Sequence, residues 1–156
     1  MSEVNDRRVE TLDAHPRLVL TGVRLAALRV EIRTDPVAIG LFEELKARAE
    51  FYLTQPLPAY HVEGRRLLAV SRRVVVHVVT FALLAQMTDD ARYAAAARAE
   101  MLAAAAFVDW NPSHFLDAAE MAVALSLGLD WLHDFLSADD RTTIEQSLIE
   151  KALKPC

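Results

Sequence analysis

Apolar residues recur at three- and four-residue spacing along most of the chain, which is the pattern of helices that bury one face. The spacing predicts a first helix over residues 23–33, on Leu25, Leu28 and Ile32. A second helix is predicted to begin at Asp35-Pro36, because aspartate is a common N-cap and proline is favoured in the first turn. It should end before Gln55-Pro56, since a helix interior does not accommodate proline.

The longest apolar stretch covers residues 67–87 and predicts a helix that is apolar around nearly its whole circumference. Residues 74–80 are mostly β-branched and have the propensity of a strand, but the apolar run continues well beyond them and is too long for a typical strand. Arg72, Arg73 and His77 interrupt the ~20 apolar residues that a membrane-spanning helix needs. We therefore predict a buried helix and no membrane span.

Three further helices are predicted downstream. Thr88-Asp89-Asp90 should cap an alanine-rich helix that ends near residue 107. After a break at residues 110–113, the next helix is predicted from about Pro112 to residue 127, where Gly128 should stop it. The last helix, over residues 138–153, follows Ser137 and a weak form of the capping box.

Short loops between these helices predict an all-α fold of stacked antiparallel αα-hairpins. Residues 1–17 are polar and unpatterned, so we expect a flexible N-terminal arm followed by a helical domain over residues 18–156. The two middle helices must be covered on more than one side, and one layer of six helices cannot surround both. We therefore expect a truncated part of a larger helical domain, or a chain that pairs with a homodimer partner.

Composition and charge narrow the function classes. Hydrophobic residues make up 53% of the chain, above the usual ~45–50%, which fits buried helices. The net charge is −5 and the basic residues are scattered, so no nucleic-acid partner is expected. A single cysteine, Cys156, excludes a disulfide framework, and no spacing of His, Asp and Glu matches a zinc or calcium site, so we predict no cofactor. The N-terminus has no apolar signal-peptide core, which favours a cytoplasmic protein unless a leader was removed.

The most distinctive segment, residues 108–121, concentrates aromatic, amide, imidazole and carboxylate groups around one helix start. If Asn111 or Ser113 caps that helix, His114 and Asp117 lie three residues apart on one face. Helix N-termini attract anions, so the segment is a candidate wall of an acidic-sugar site. The alternative is that Asn111 and Ser113 only cap the helix, His114 donates to a buried acceptor and Trp110 fills the core.

Other candidates lie outside this segment. Tyr60 and His61 occupy the long loop over residues 55–66 and are placed to touch a substrate, or else belong to an ordinary surface loop. His77 is expected to be a hydrogen-bonded core histidine, and His133-Asp134 a packing pair with a surface ion pair. The predicted substrate-binding residues are Trp110, Asn111, His114, Asp117, Glu120, Tyr60 and His61.

Several short motifs follow one another along the chain. They are His15-Pro16-Arg17-Leu18, Gly64-Arg65-Arg66-Leu67, Asp90-Ala91-Arg92-Tyr93, Asp109-Trp110-Asn111-Pro112-Ser113-His114-Phe115-Leu116-Asp117 and Gly128-Leu129-Asp130-Trp131. In this order they resemble the N-terminal helical region of bacterial heparinase II/III-type and oligoalginate-lyase-type polysaccharide lyases. The resemblance covers nearly the whole chain after residue 14, and the fourth motif is its most specific part.

The resemblance implies an incomplete (α/α) toroid whose cleft binds an acidic polysaccharide or oligosaccharide and cleaves it by β-elimination at a uronic acid. That reaction needs a group that neutralises the carboxylate, a base and an acid. In the family these groups lie beyond the region that this chain resembles, so no catalytic residue is predicted here. A glycoside hydrolase would need two carboxylates facing each other across a cleft, whereas Asp117 and Glu120 lie on one helix. The alternative is a stand-alone helical interaction or dimerisation module without catalysis.

Overall fold

The computed structural model describes residues 13–155, and this part of the chain is all-helical, as predicted. Residues 1–12 of the expected arm, and Cys156, lie outside the described residues. Within the described residues the only β pairing is an isolated bridge between Glu63 and Arg66. The helices are α1 (Gly22–Thr34), α2 (Pro36–Leu53), α3 (Leu68–Met87), α4 (Ala91–Ala105), α5 (Phe115–Trp131) and α6 (Ala138–Leu148), which a π-helical turn (Ile149–Leu153) continues.

Polar side chains at the N-caps explain where four of the helices begin. Thr21, Asp35 and Asp90 each accept a hydrogen bond from a backbone N–H of the first turn of α1, α2 and α4. Ser137 and Asp140 form a complete capping box at α6, stronger than the weak form that the sequence indicated. Each such cap satisfies N–H groups that have no partner inside the helix.

Helix α3 is the centre of the fold. It packs against α4 and α5 along its length, and α1 and α2 also contact it. The buried residues of α3 include Val74, Val78 and Phe81, and α6 covers α4 and α5 from the other side. The β-branched residues 74–80 are therefore helical, and the expectation that this helix is covered on more than one side is confirmed.

Helix α3 is also long and apolar enough to cross a membrane by length and composition alone. Core helices of globular folds meet the same criterion, because burial in protein and burial in lipid both favour apolar side chains. In the structure 44% of an apolar 18-residue stretch of α3 is buried inside the fold. Ser71 and His77 lie on the buried face. This packing fits the predicted buried helix, while the cellular location stays a prediction.

The bounds of α5 differ from the prediction at both ends. The helix begins at Phe115 instead of Pro112, because Asn111 adopts a left-handed conformation (φ 53°) and its carbonyl closes a turn with the His114 N–H. Neither Asn111 nor Ser113 caps α5, since no side chain caps its first turn. Gly128 does not stop the helix; it lies inside α5, where the absence of a Cβ lets α3 and α4 approach.

The end of the expected arm lies against α5. His15 Nδ1 is 2.6 Å from Asp130 Oδ1, and the backbone N–H groups of Arg17 and Leu18 donate to Asp130 Oδ2 at 2.9 and 2.8 Å. Trp131 Nε1 donates to the Leu18 carbonyl at 2.9 Å. His15 and Arg17 of the predicted arm therefore contact α5, because Asp130 accepts hydrogen bonds from this segment.

Candidate functional site

An open cleft of about 560 Å³ lies between the turn over residues 63–66 and the segment that precedes α5. Two of the predicted substrate-binding residues, Asn111 and His114, line this cleft. The complete lining is Val62, Gly64, Arg65, Asn111, Ser113 and His114. The site is therefore built from two chain segments that the sequence places almost fifty residues apart.

The first wall of the cleft is a tight turn. The Glu63 N–H donates to the Arg66 carbonyl at 2.9 Å, and the Arg66 N–H donates back at 3.0 Å. Gly64 has φ +63° at the first central position, as in a type II′ turn, and glycine adopts this conformation without a steric cost. Arg65 follows at the exposed tip, and its guanidinium forms no ion pair or hydrogen bond within the described residues.

The second wall is held in place by Asn111. Its left-handed backbone is one that asparagine tolerates better than most residues, and its N–H donates to Asp109 Oδ1 at 2.8 Å. The side-chain amide donates across the cleft floor to the Arg65 carbonyl at 2.8 Å and to Asp117 Oδ2 at 2.7 Å. Asn111 therefore joins the two walls directly.

Asp117 lies behind the cleft, fully buried in the first turn of α5. Its Oδ2 accepts two hydrogen bonds, one from the Asn111 amide and one from the Leu67 N–H at 2.7 Å, just before α3. A buried carboxylate is stable only when its oxygens are bonded or paired with a positive charge. Asp117 thus ties the start of α3 to the start of α5, and it supports the cleft without facing it.

His114 is a third neighbour of the Asp117 carboxylate. Its Nδ1 lies 3.3 Å from Asp117 Oδ1, within ion-pair distance but not aligned as a hydrogen bond. Both atoms are buried and have no other hydrogen-bond partner within the described residues. The His114 side chain is nevertheless 28% exposed, so the open edge of the ring faces away from Asp117. The two residues are close, as the three-residue spacing predicted, but His114 is the N-cap residue that precedes α5 and not a residue of its first turn.

Trp110 and Glu120 are placed outside the cleft. Trp110 is fully buried, and its Nε1 donates to the Ala104 carbonyl at 3.0 Å, so it fills the core as the alternative interpretation stated. Glu120 accepts from Ser71 Oγ at 2.6 Å and lies 3.4 Å from Arg72 Nε, which connects α5 to α3. Direct contact of Trp110 with a ligand is therefore not compatible with this structure, because no part of the side chain reaches solvent.

Tyr60 and His61 lie near the cleft but do not line it. The Tyr60 hydroxyl donates to Asp109 Oδ1 at 2.9 Å, and this hydrogen bond raises the pKa of Tyr60. Its ring packs edge-on against Phe107. The His61 side chain is 70% exposed, and its Nε2 is 3.9 Å from Glu63 Oε1. Tyr60 therefore fixes the loop to the segment before α5, and His61 is an exposed loop residue.

The remaining histidines follow the sequence interpretation in part. His77 is buried, bonds Glu100 through Nδ1 at 2.8 Å and stacks on Tyr52, which confirms a hydrogen-bonded core histidine. His133 Nδ1 lies 3.1 Å from the exposed Asp134 carboxylate, as expected of a surface pair, and its ring also stacks on His15. Among the described residues no group of three or more His, Cys, Asp or Glu side chains is placed to hold a metal ion.

No protein-family model matches the chain, and no curated protein is significantly similar to it in sequence.

Sequence reasoning missed three residues that shape the site and its surroundings. Arg65 was noted only as part of a motif, because an arginine next to another arginine on a loop carries no periodic signal. Asp109 accepts hydrogen bonds from both Tyr60 and the Asn111 N–H, and the two-residue spacing to Asn111 is a recognisable Asx-turn signal. Asp130 bonds a segment more than one hundred residues away, which no local pattern reveals.

Proposed function

We propose that this chain is the N-terminal helical part of a polysaccharide lyase of heparinase II/III type, and that it contributes one wall of a cleft that binds an acidic polysaccharide. The observation that carries this proposal is the cleft in front of α5, where Arg65, Asn111 and His114 come together at the most specific of the resembling motifs. Within the described residues Arg65 has no competing partner for its positive charge. Ser113 Oγ donates to Asn111 Oδ1 at 3.0 Å and can accept a hydrogen bond from a sugar hydroxyl group.

The same cleft supports binding better than catalysis. β-Elimination at a uronic acid removes the C5 proton with a base and returns a proton from an acid to the leaving glycosidic oxygen. The tyrosine beside the cleft, Tyr60, donates its hydroxyl proton to Asp109 and has a raised pKa, which makes it a poor base. We therefore expect this polypeptide alone to bind acidic sugars weakly and to cleave none.

The binding is tested by a nuclear magnetic resonance titration of the ¹⁵N-labelled chain. Trimannuronate should shift the amide signals of residues 62–65 and 111–114, and β-1,4-linked mannotriose should shift them less, because it has hydroxymethyl groups in place of the carboxylates. The method detects millimolar affinities, so a weak site is visible. Unchanged spectra with both sugars would refute the proposed sugar-binding wall.

The expected lack of catalysis has its own assay. Cleavage by β-elimination creates an unsaturated uronate that absorbs ultraviolet light. Incubation of the pure chain with alginate or heparan fragments should give no rise in absorbance. Sustained turnover by the chain alone would overturn the assignment as a non-catalytic wall.

A specific apolar surface favours a second candidate, a helical module that dimerises. A groove of about 320 Å³ runs between α5 and the π-helical turn, and its lining is almost wholly apolar. Phe115 is 66% exposed and Leu153 is 71% exposed at its edges. The lining is Phe115, Ala118, Ala119, Ala122, Ala152 and Leu153. The occupant is either a further helix of the same protein, under the first proposal, or a second copy of this chain, under this one.

Sedimentation velocity separates these two occupants. A monomer at concentrations up to about 100 μM, well above the dissociation constant of a stable dimer, would count against the dimerisation module. A dimer that Leu153→Lys converts to a folded monomer, while the exposed Leu41→Lys on α2 does not, would favour it. Leu41 is a matched control because it is also a largely exposed leucine and lies outside the groove.

A further inference from the structure

Two side chains with complementary chemistry face the cleft from opposite walls. Arg65 stands at the tip of the turn over residues 63–66 with no acidic partner within the described residues, and His114 lines the other wall. The His114 Nδ1 is buried against Asp117 while the ring is 28% exposed. The exposed edge of the imidazole is therefore the one that carries Nε2.

The buried carboxylate determines which ring nitrogen faces the ligand. A carboxylate oxygen 3.3 Å from Nδ1 favours a proton on that nitrogen, because an unprotonated Nδ1 would place its lone pair against the negative oxygen. In the neutral ring Nε2 then carries the lone pair and is a hydrogen-bond acceptor. Asp117 cannot move to serve another group, since its second oxygen already accepts from the Leu67 N–H and the Asn111 amide. His114 is consequently held in one orientation, with Nε2 directed away from the protein interior.

We propose that Arg65 and His114 form a two-point subsite for one uronate residue of the bound sugar, in which Arg65 binds the carboxylate and His114 Nε2 accepts from a hydroxyl group, and that Asp117 is the positioning residue of His114. This inference rests on the proposed function, since it names where that cleft recognises the acidic group of its ligand. The guanidinium supplies a charge with planar geometry that matches a carboxylate. The neutral imidazole accepts a hydrogen bond from a sugar hydroxyl on the other side, so a neutral sugar keeps this contact and loses only the one to Arg65.

The absence of nearby competition supports this assignment. Asp117 is already bonded to Leu67 and Asn111, and Asp109 to Tyr60 and the Asn111 N–H. The exposed Glu63 carboxylate lies 3.9 Å from His61 and forms no ion pair with Arg65 within the described residues. Arginines elsewhere on the surface, such as Arg48 and Arg92, are paired with glutamates. Arg65 therefore keeps its positive charge available in a concave site, where a ligand carboxylate meets less solvent than on a flat surface.

The test compares trimannuronate and mannotriose binding to the full chain and to three variants, by the same amide-shift titration. Arg65→Gln should weaken trimannuronate binding by about tenfold, the loss expected for one hydrogen bond to a charged group, and should change mannotriose binding less than twofold. His114→Gln should weaken the binding of both sugars by about fivefold, the loss expected for one neutral hydrogen bond. Arg66→Gln is the matched control, because it removes the same charge at the next residue, which does not line the cleft. Its binding should equal that of the parent.

The positioning role of Asp117 has a separate spectroscopic readout. At about pH 8.5, where imidazoles are neutral, the ring ¹⁵N shifts of His114 should show a proton on Nδ1 in the parent chain. Asp117→Asn keeps an acceptor for the Leu67 N–H but presents an amide donor to the ring, so the proton should move to Nε2. A purely structural role for Asp117 would leave the tautomer unchanged.

The outcomes separate the subsite from the proposed function. If trimannuronate binds in the cleft but Arg65→Gln and His114→Gln bind it as the parent does, the subsite is wrong and the sugar-binding wall stands. If neither sugar binds, both proposals fall. A parent chain with the His114 proton on Nε2 would also overturn the role given to Asp117.

Discussion

Gly128 of α5 lies directly against Met101 of α4, so that a Cβ atom added to the glycine would overlap the methionine side chain. The same added atom would lie only 2.8 Å from Val78 Cγ1 of α3. Both neighbours are fully buried and have little room to move. Three helices therefore approach one another at this glycine, and its small size is what permits the approach.

Gly128→Ala should lower the free energy of unfolding by about 1–3 kcal/mol, the usual cost of overpacking a core. The higher helix propensity of alanine, worth about 1 kcal/mol, offsets only part of the strain. Gly40→Ala on α2 is the control, because nothing lies within 4 Å of its added Cβ. That variant should be more stable than the parent by about 0.5–1 kcal/mol. Urea denaturation measures both, and equal effects at the two glycines would contradict the packing argument.

Asp117→Ala should destabilise the chain by about 3 kcal/mol, because it leaves the buried Leu67 N–H without an acceptor and removes one of the two acceptors of the Asn111 amide. The amide signals of residues 63–67 and 109–114 should also broaden or shift, since the bonds that join the two walls are lost. Asp134→Ala, at a side chain that is 91% exposed, should change stability by less than about 0.5 kcal/mol. A similar unfolding midpoint for both variants would refute this role of Asp117.

The ion pair of Asp140 should make the free energy of unfolding sensitive to acid. Its two hydrogen bonds from the Arg98 guanidinium, together with those from Ser137, lower the pKa of Asp140 from 3.8 to about 2 against the opposing effect of burial. Because the folded-state pKa is depressed, the stabilisation is complete above the unfolded value and disappears as the pH falls from about 5 towards 2. The free energy of unfolding should fall less between about pH 6 and pH 2.5 in Asp140→Asn than in the parent. Equal losses in the two chains would show that this carboxyl is not shifted.

Removal of one partner of the buried pair of His77 and Glu100 should strongly lower the free energy of unfolding. Glu100 lies on α4, and its Oε1 is 2.8 Å from the His77 ring and 3.8 Å from Arg73 Nη2. Glu100→Ala should destabilise the fold by about 3 kcal/mol, because it leaves polar groups buried without their acceptor. Glu44→Ala breaks an exposed pair with Arg48 and should cost less than about 0.5 kcal/mol. Comparable costs in thermal unfolding would mean that the buried pair contributes no more than a surface pair.

Local signals in the sequence were sufficient for most helix boundaries. Asp35-Pro36 marks the start of α2, and the prolines after Gln55 lie just beyond its end, because caps and prolines act within one turn of the residue itself. The helical state of residues 74–80 followed from the length of the apolar run. Gly128 shows where such signals fail, since a glycine that ends a helix and one that permits close packing look the same in sequence.

At the site, only the contact between residues that are close in sequence was predictable. The three-residue spacing predicted that His114 and Asp117 lie close together, and in the structure their side chains are 3.3 Å apart, with His114 just before α5 and Asp117 in its first turn. The opposing wall with Arg65, and the bond between Asp117 and Leu67, depend on how α3 and α5 pack, and no periodicity encodes that distance. The contact of His15 with Asp130 was missed for the same reason.

The bonds that Asp117 makes behind the cleft separate its shape from its chemistry. The separation of the two walls is set by the buried Asp117 carboxylate and by the Arg65 carbonyl, whereas the Arg65 guanidinium forms no bond within the described residues. Under the proposed function, a single codon change that replaces this side chain would therefore alter which molecules the pocket holds while its dimensions stay the same. The turn over residues 63–66 would then be the place to change ligand choice by design without a loss of stability.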